Sequence, residues 1–185
     1  KGEEFQALAG TLAKAAFDGQ VADRDALLAA TLDTGKTVED TVAEMAGVIG
    51  EKIELGRVAT EQAPATTYLH RRASDLPPQV GVLVAYDGDE EAAKGVAMQI
   101  AAMRPQFLTR DEVPAETVEN ERRIAETAAK EEGKPEQAIP KIVEGRVNAF
   151  FKDNVLLEQP SVVDNKKSVT DVLAESGTTI RAFAR

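Results

Sequence analysis

The sequence predicts an α+β fold with antiparallel sheets and a long antiparallel helical hairpin, on three observations. Apolar residues recur at three- and four-residue steps through the first fifty positions, the period of a half-buried helix. Between positions 53 and 85 the period changes to alternating or continuous apolar runs, which are strand patterns. From 115 to 151 two densely charged helical segments flank the turn Glu132-Gly133-Lys134-Pro135. Helices and strands are segregated rather than strictly alternating, which favours α+β over a doubly wound parallel sheet.

The elements follow in order. Phe5, Leu8, Leu12 and Ala15 or Ala16 give the first helix one apolar face, and Gly19 stops it. Asp23 caps a second helix running through Leu27, Leu28 and Leu32, and Gly35 breaks the chain. Thr37 with Asp40 resembles a capping box for a third helix carrying Val38, Val42, Met45, Val48 and Ile49, which stops at Gly50. Ile53 to Ala59 alternates and reads as a strand with a bulge at Gly56. Thr66 to Arg72 is a second strand and Val80 to Ala85, a continuous apolar run, a central one. Asp87-Gly88-Asp89 turns the chain and caps a helix through Ala92, Val96, Ile100 and Met103, which Pro105 ends.

The hairpin has arms of about 17 residues, about 25 Å long. Its first arm carries Val118, Ile124, Ala125 and Ala128; its second carries Ile139, Ile142, Val143, Val147 and Phe150. These cover either each other or a partner surface. Pro135 starts the second arm, and Pro140 falls inside it and is expected to kink it. Val155-Leu156-Leu157 reads as a strand, Ser168 with Asp171 opens a short helix, and Thr178 to Phe183 is a terminal strand.

Charge and composition narrow the function. The 185 residues hold 22 basic and 32 acidic side chains, a net charge of −10. Most of the excess lies in residues 1–103, with 9 basic against 17 acidic, while 104–152 are balanced at 9 against 10. That argues against nucleic acid and against an anionic membrane as partners, since both need clustered Lys and Arg. There is no cysteine, which removes thiolate catalysis, disulfides and Cys-based metal sites, and His70 is the single histidine. No apolar run approaches the length of a membrane span, and no signal or transit peptide begins at Lys1; a first residue other than Met predicts a processed or trimmed chain.

No Gly-rich phosphate loop precedes a Lys-Ser or Lys-Thr pair, and no Gly-x-Ser-x-Gly elbow is present. Glu90-Glu91 complements a helix N-terminus, and Lys166-Lys167 is a loop charge pair. His70 beside Arg71-Arg72 is the one local concentration of functional side chains. Carboxylate catalysis would fall to Asp87, Asp89 or Glu90, whose open turn context disfavours it. The reading is of a chain with no catalytic, cofactor-binding or metal-ligating residues.

Several stretches carry a resemblance. The most specific is Val96-Ala-Met-Gln-Ile-Ala-Ala-Met-Arg-Pro-Gln-Phe-Leu-Thr-Arg-Asp-Glu-Val-Pro114. Others are Gly133-Lys134-Pro135 followed by Ile142-Val143-Glu144-Gly145-Arg146, then Leu156-Leu157-Glu158-Gln159-Pro160. Gln79 to Ala85, and Gly50-Glu51-Lys52-Ile53 before Arg57-Val58, fit as well. In order and spacing, across all 185 residues, they resemble bacterial elongation factor Ts, the guanine nucleotide exchange factors of elongation factor Tu.

The resemblance implies an architecture of two similar α+β subdomains with an inserted helical-hairpin dimerisation domain. Residues 1–63 look like the first subdomain without its start. Residues 64–107 and 157–185 look like the second, and 108–156 like the inserted hairpin. The family's N-terminal helical domain and its Thr-Asp-Phe-Val motif would precede Lys1, so a fragment is expected. Pro140 departs from the family pattern. Ile49 and Gly50 match positions that pack on a helix of the partner's nucleotide domain, and His70 matches an interface histidine beside the same domain. The resemblance therefore implies a cytoplasmic exchange factor that binds elongation factor Tu, itself without a cofactor, and that dimerises through the hairpin. The rival reading is a non-catalytic assembly module built on that hairpin.

Overall fold

In the computed structural model, which describes residues 2–185, the first apolar runs fold as three helices: α1 (Glu3–Asp18), α2 (Arg24–Ala29) and α3 (Val38–Ile49). Lys1, with its expected trimmed start, lies outside the described residues. Asp23 caps α2 by accepting the Ala26 N–H at 2.9 Å, and Thr37 Oγ1 accepts the Asp40 N–H at 3.1 Å at the start of α3. Leu8, Leu12, Ala16, Leu27, Val38 and Val42 bury one face of each helix in a common core. The second helix is shorter than expected. Ala30 turns extended, and Leu32 sits instead in a turn closed by its N–H on the Lys36 carbonyl at 2.8 Å.

The strand expected over Ile53–Ala59 is not formed. The segment runs extended across the helices, with Ile53, Leu55 and Val58 on their core and the residues between them exposed. Arg24 Nε donates to the Leu55 carbonyl at 2.7 Å and Thr60 Oγ1 to the Val21 carbonyl at 2.6 Å. An alternating pattern reports an extended chain with one buried side; it does not report a neighbour to pair with. The described residues up to Gln62 form one compact unit and 63–185 a second.

The second unit holds a three-stranded antiparallel sheet in the order β1 (Ala65–His70), β2 (Val80–Asp87), β3 (Thr179–Ala184). Tyr68 pairs with Val82 and His70 with Val80, and a bulge between Ala85 and Tyr86 shifts the β2–β3 register. β1 stops at His70, two residues before the expected end, because Arg71 enters the turn and donates to the Leu76 carbonyl at 3.1 Å. α4 (Glu90–Met103) covers one face, capped by Asp89, which accepts the Ala92 N–H at 2.8 Å. Val82, Val84 and Tyr86 meet Val96, Ile100, Leu156 and Leu173 in the core. The α+β class holds, and the antiparallel sheet belongs to this unit.

The hairpin is α5 (Ala115–Glu131) and α6 (Ile139–Asn154), closed by Ala125, Ala129, Val143, Val147 and Phe151. Its arms cover each other. Residues 135–138 form a turn, with the Ala138 N–H on the Pro135 carbonyl at 2.9 Å, so the second arm starts later than expected. Pro140 therefore lies in the first turn of α6, where a missing N–H costs nothing, and the expected kink does not arise. Val155–Leu157 is not a strand: Val155 makes one bridge to Phe107, and Leu156–Glu158 is a 3-10 turn with Leu156 fully buried. A short apolar run looks the same whether it is a strand or a buried turn. α7 (Val169–Glu175) opens with a complete capping box between Ser168 and Asp171. No helix among the described residues is long and apolar enough to cross a membrane.

Two expectations follow. Gly88 has φ +122°, and a Cβ there would lie 2.9 Å from the Thr178 Cα. Gly88→Ala should lower unfolding free energy by about 2 kcal/mol or more in urea titration. The Ser168 N–H and hydroxyl hold the Asp171 carboxyl below its ordinary value of 3.8. A depressed folded value means that the stabilisation is complete above 3.8 and is lost as pH falls through the folded value. NMR titration of the Asp171 carboxyl carbon should give a midpoint under 3.8, and the Ser168 amide resonance should move with it.

Candidate functional site

The sequence-selected positions fall in both units: Ile49 and Gly50 in the first, His70 in the second. Gly50 ends α3 in the left-handed conformation, φ 74° and ψ 19°, with its N–H on the Ala46 carbonyl at 2.9 Å. That cap turns the chain sharply and leaves the last turn of α3 uncovered. Val48 is 73% exposed and Ile49 38% exposed, although the helical period assigned both to the buried face. Ile49 does not join the helical core; it lines an open cavity of about 430 Å³ with Phe5, Ile53, Glu51, Lys52 and Glu54. Lys52 pairs with Glu54 at 2.9 Å, and its hydrogen bond holds the Glu54 carboxyl below the usual glutamate range. The resulting surface has an aliphatic and aromatic floor and a charged rim.

His70 closes β1. Period-two alternation puts Thr66, Tyr68 and His70 on the α4 side of the sheet and Thr67 and Leu69 on the other. Thr66 and Tyr68 pack inward, but His70 lies at the end of the strand and is exposed. Its Nδ1 shares a hydrogen bond with the Tyr68 hydroxyl at 3.2 Å, and the rings stand 6.1 Å apart, tilted. Its carbonyl accepts the Gln79 N–H at 2.9 Å. The imidazole is thus oriented from behind by a tyrosine while its outer edge faces solvent. Leu69, 60% exposed, lies over Gly81, and Leu76, 41% exposed, sits in the adjoining turn.

Leu69, Leu76 and Val48 are functional candidates that sequence reasoning passed over. Leu69 was visible in principle, since alternation sets it opposite the buried residues and its cross-strand neighbour is a glycine. The rival carboxylates have structural partners. Asp89 caps α4, Asp87 pairs with Arg181 at 3.2 Å, and Glu90 pairs with Lys94 at 3.3 Å.

Both patches are apolar side chains on fixed backbone, the chemistry of protein recognition. The family model for elongation factor TS matches residues 1–185, the whole chain. The chain belongs to the elongation factor Ts family. It is 60% identical over 185 residues to elongation factor Ts of Nocardioides sp., covering all of this chain and 68% of that protein. It is 58% identical to elongation factor Ts of Nocardia farcinica over 189 residues, covering 69% of that protein. The same protein of Saccharopolyspora erythraea is 58% identical over 186 residues. Membership in the elongation factor Ts family makes this a translation elongation factor.

At the α3 terminus, a Cβ on Gly50 would meet nothing within 4 Å, so only the backbone conformation resists substitution. Gly50→Ala should cost about 1 kcal/mol of stability and Gly50→Asn less, read by chemical denaturation.

Proposed function

We propose that this chain is the core of a guanine nucleotide exchange factor for elongation factor Tu, working in the cytoplasm. The observation that carries the reading is the family match along all 185 residues. Support comes from the exposure of Ile49 and His70, the positions that the family resemblance assigns to the partner's nucleotide domain. Within this reading, residues 1–63 are the first core subdomain, 64–107 with 157–185 the second, and 108–156 the inserted dimerisation domain.

The work is exchange without bond chemistry. A P-loop protein holds its nucleotide through backbone N–H groups on the phosphates and through a coordinated Mg²⁺. A factor that binds the partner better in a state with that site disturbed weakens the nucleotide, and by linkage the nucleotide weakens the factor equally. GDP leaves, GTP enters and the factor is released. Ile49 and Gly50 supply an apolar edge for a helix of the partner. His70, oriented by Tyr68, supplies a polar contact at its outer face.

The test is release of a fluorescent GDP from elongation factor Tu. The unsubstituted chain should accelerate release. Ile49→Ala and His70→Ala should each reduce the acceleration roughly fivefold to thirtyfold, the range of a contact worth 1–2 kcal/mol. Their melting temperatures should stay near that of the parent, because both side chains are solvent-accessible. Binding without acceleration would assign the kinetic step to family segments outside this chain. Absence of both binding and acceleration would overturn the reading.

A second reading, assembly through the hairpin, is favoured by Ile124, which stands 52% exposed on α5. Light scattering before and after deleting 115–151 distinguishes it: a dimer lost with the hairpin supports assembly, and an unchanged mass removes it.

A further inference from the structure

Two glutamines occupy positions where a core would ordinarily place apolar residues. Gln99, on α4, is 2% exposed, and Gln159, in the chain leaving the hairpin, is 1% exposed. Burying an amide is costly unless its donors and acceptor are all used. Here they are used. Gln99 Nε2 donates to Gln159 Oε1 at 3.1 Å and to the Pro160 carbonyl at 3.1 Å, while its Oε1 accepts the Val162 N–H at 2.8 Å. Gln159 Nε2 donates to the Asp153 carbonyl, in the last turn of α6, at 2.8 Å. The Gln159 carbonyl accepts the Val169 N–H at 2.9 Å, at the start of α7. A continuous path of hydrogen bonds therefore runs from the end of α6, through both amides, into α4.

We propose that Gln99 and Gln159 form an amide clasp that sets the direction of the helical hairpin relative to the sheet, and that they are positioning residues for the exchange reaction. The second half of this statement rests on the reading under Proposed function. The clasp suits the task better than its neighbours do. The backbone crossing at the hairpin base, where the Gln106 and Phe107 N–H groups meet the Asn154 carbonyl and the Leu156 N–H meets that of Phe107, joins the two segments at one bridge. Arg110 bonds Glu158 and lies 4.1 Å over the Phe151 ring, but the ion pair is partly solvated and fixes little. Apolar contacts carry no donor or acceptor to fix a rotation. An amide has one donor end and one acceptor end, so turning α6 would take the Asp153 carbonyl away from the Gln159 amide, which is buried and bonded to Gln99.

The chain has no cysteine, so spin labels can be placed cleanly by Glu91→Cys on α4 and Glu136→Cys at the hairpin turn. Dipolar distance measurement on the parent should give one narrow distribution. Gln99→Met and, as a second variant, Gln159→Met should broaden it at least twofold. Val143→Ala, which weakens the hairpin core without touching the clasp, is the control for lost stability and should keep the narrow width. Equal widths in the parent, Gln99→Met and Gln159→Met, or the same broadening in Val143→Ala, would overturn the clasp. The same variants go into the GDP-release assay well below their melting temperatures. A severalfold loss of acceleration in the glutamine variants, with Val143→Ala unaffected, supports the positioning role. Broadened distances with unchanged acceleration overturn that role and leave the clasp. If the parent does not accelerate release, the clasp is decided by the distances alone, and the exchange reading falls only when binding to elongation factor Tu is absent as well.

Discussion

One face of α4 organises the second unit. Ala93, Val96, Ala97 and Ile100 are almost wholly withdrawn from water, and they meet Val82 and Val84 of the central strand. The same core takes in Leu156 from the hairpin's exit and Leu173 from α7. Burying an aliphatic side chain is worth roughly 1.5–3 kcal/mol, so this cluster is the main driving force for bringing together segments some ninety residues apart. The sheet has only three strands, and a sheet of that size needs a covering layer on one face to be stable. The tight turn at Gly88, pressed against Thr178, sets where the helix begins over the strands, and the Thr178 hydroxyl accepts the Asp89 N–H at 3.0 Å.

Much of this was legible because the signals were local. Caps and breakers announced the ends of helices: Asp23, Thr37, Asp89 and Ser168 all bond the backbone N–H groups that their positions predict. The continuous apolar run at Val80 marked a strand buried at the centre of its sheet, and the charged segments around Gly133 marked the hairpin. The misreadings share a cause. Ile53–Ala59 alternates as a strand does, yet forms no ladder among the described residues. Val155–Leu157 is as apolar as a strand, yet is a buried turn. Pairing and burial are decided by distant segments that a local pattern does not contain. Pro140 was misjudged by a smaller margin, since the penalty of a proline depends on whether it stands in the first turn of the helix or beyond it.

The candidate site was only half visible. A family resemblance marked Ile49, Gly50 and His70, but periodicity put Ile49 and Val48 on the helix's buried face, and only the folded chain reveals them as exposed. The buried glutamines were invisible for the opposite reason. Nothing in a sequence distinguishes an amide that faces water from one that faces another amide; the difference lies in which segment comes to lie beside it. A satisfied pair of buried amides constrains the arrangement around it, since turning either one away leaves a buried donor or acceptor unpaired. By contrast, the exposed ion pairs along the hairpin, such as Arg146 with Glu132 at 2.9 Å, are adjustable and solvent-screened.

The bridge between Phe107 and Val155 brings the hairpin's entry and exit side by side. Forty-odd residues therefore leave the rest of the unit and return at nearly the same point. A loop whose ends already meet adds little closure entropy when it is lengthened, because the cost grows only with the logarithm of its length. Whole helical turns can be added to or removed from both arms without altering the spacing of the strands that flank them. The arm is in that sense an interchangeable part. Its reach can drift between related proteins, or be set by an engineer, while the sheet beneath it keeps its register.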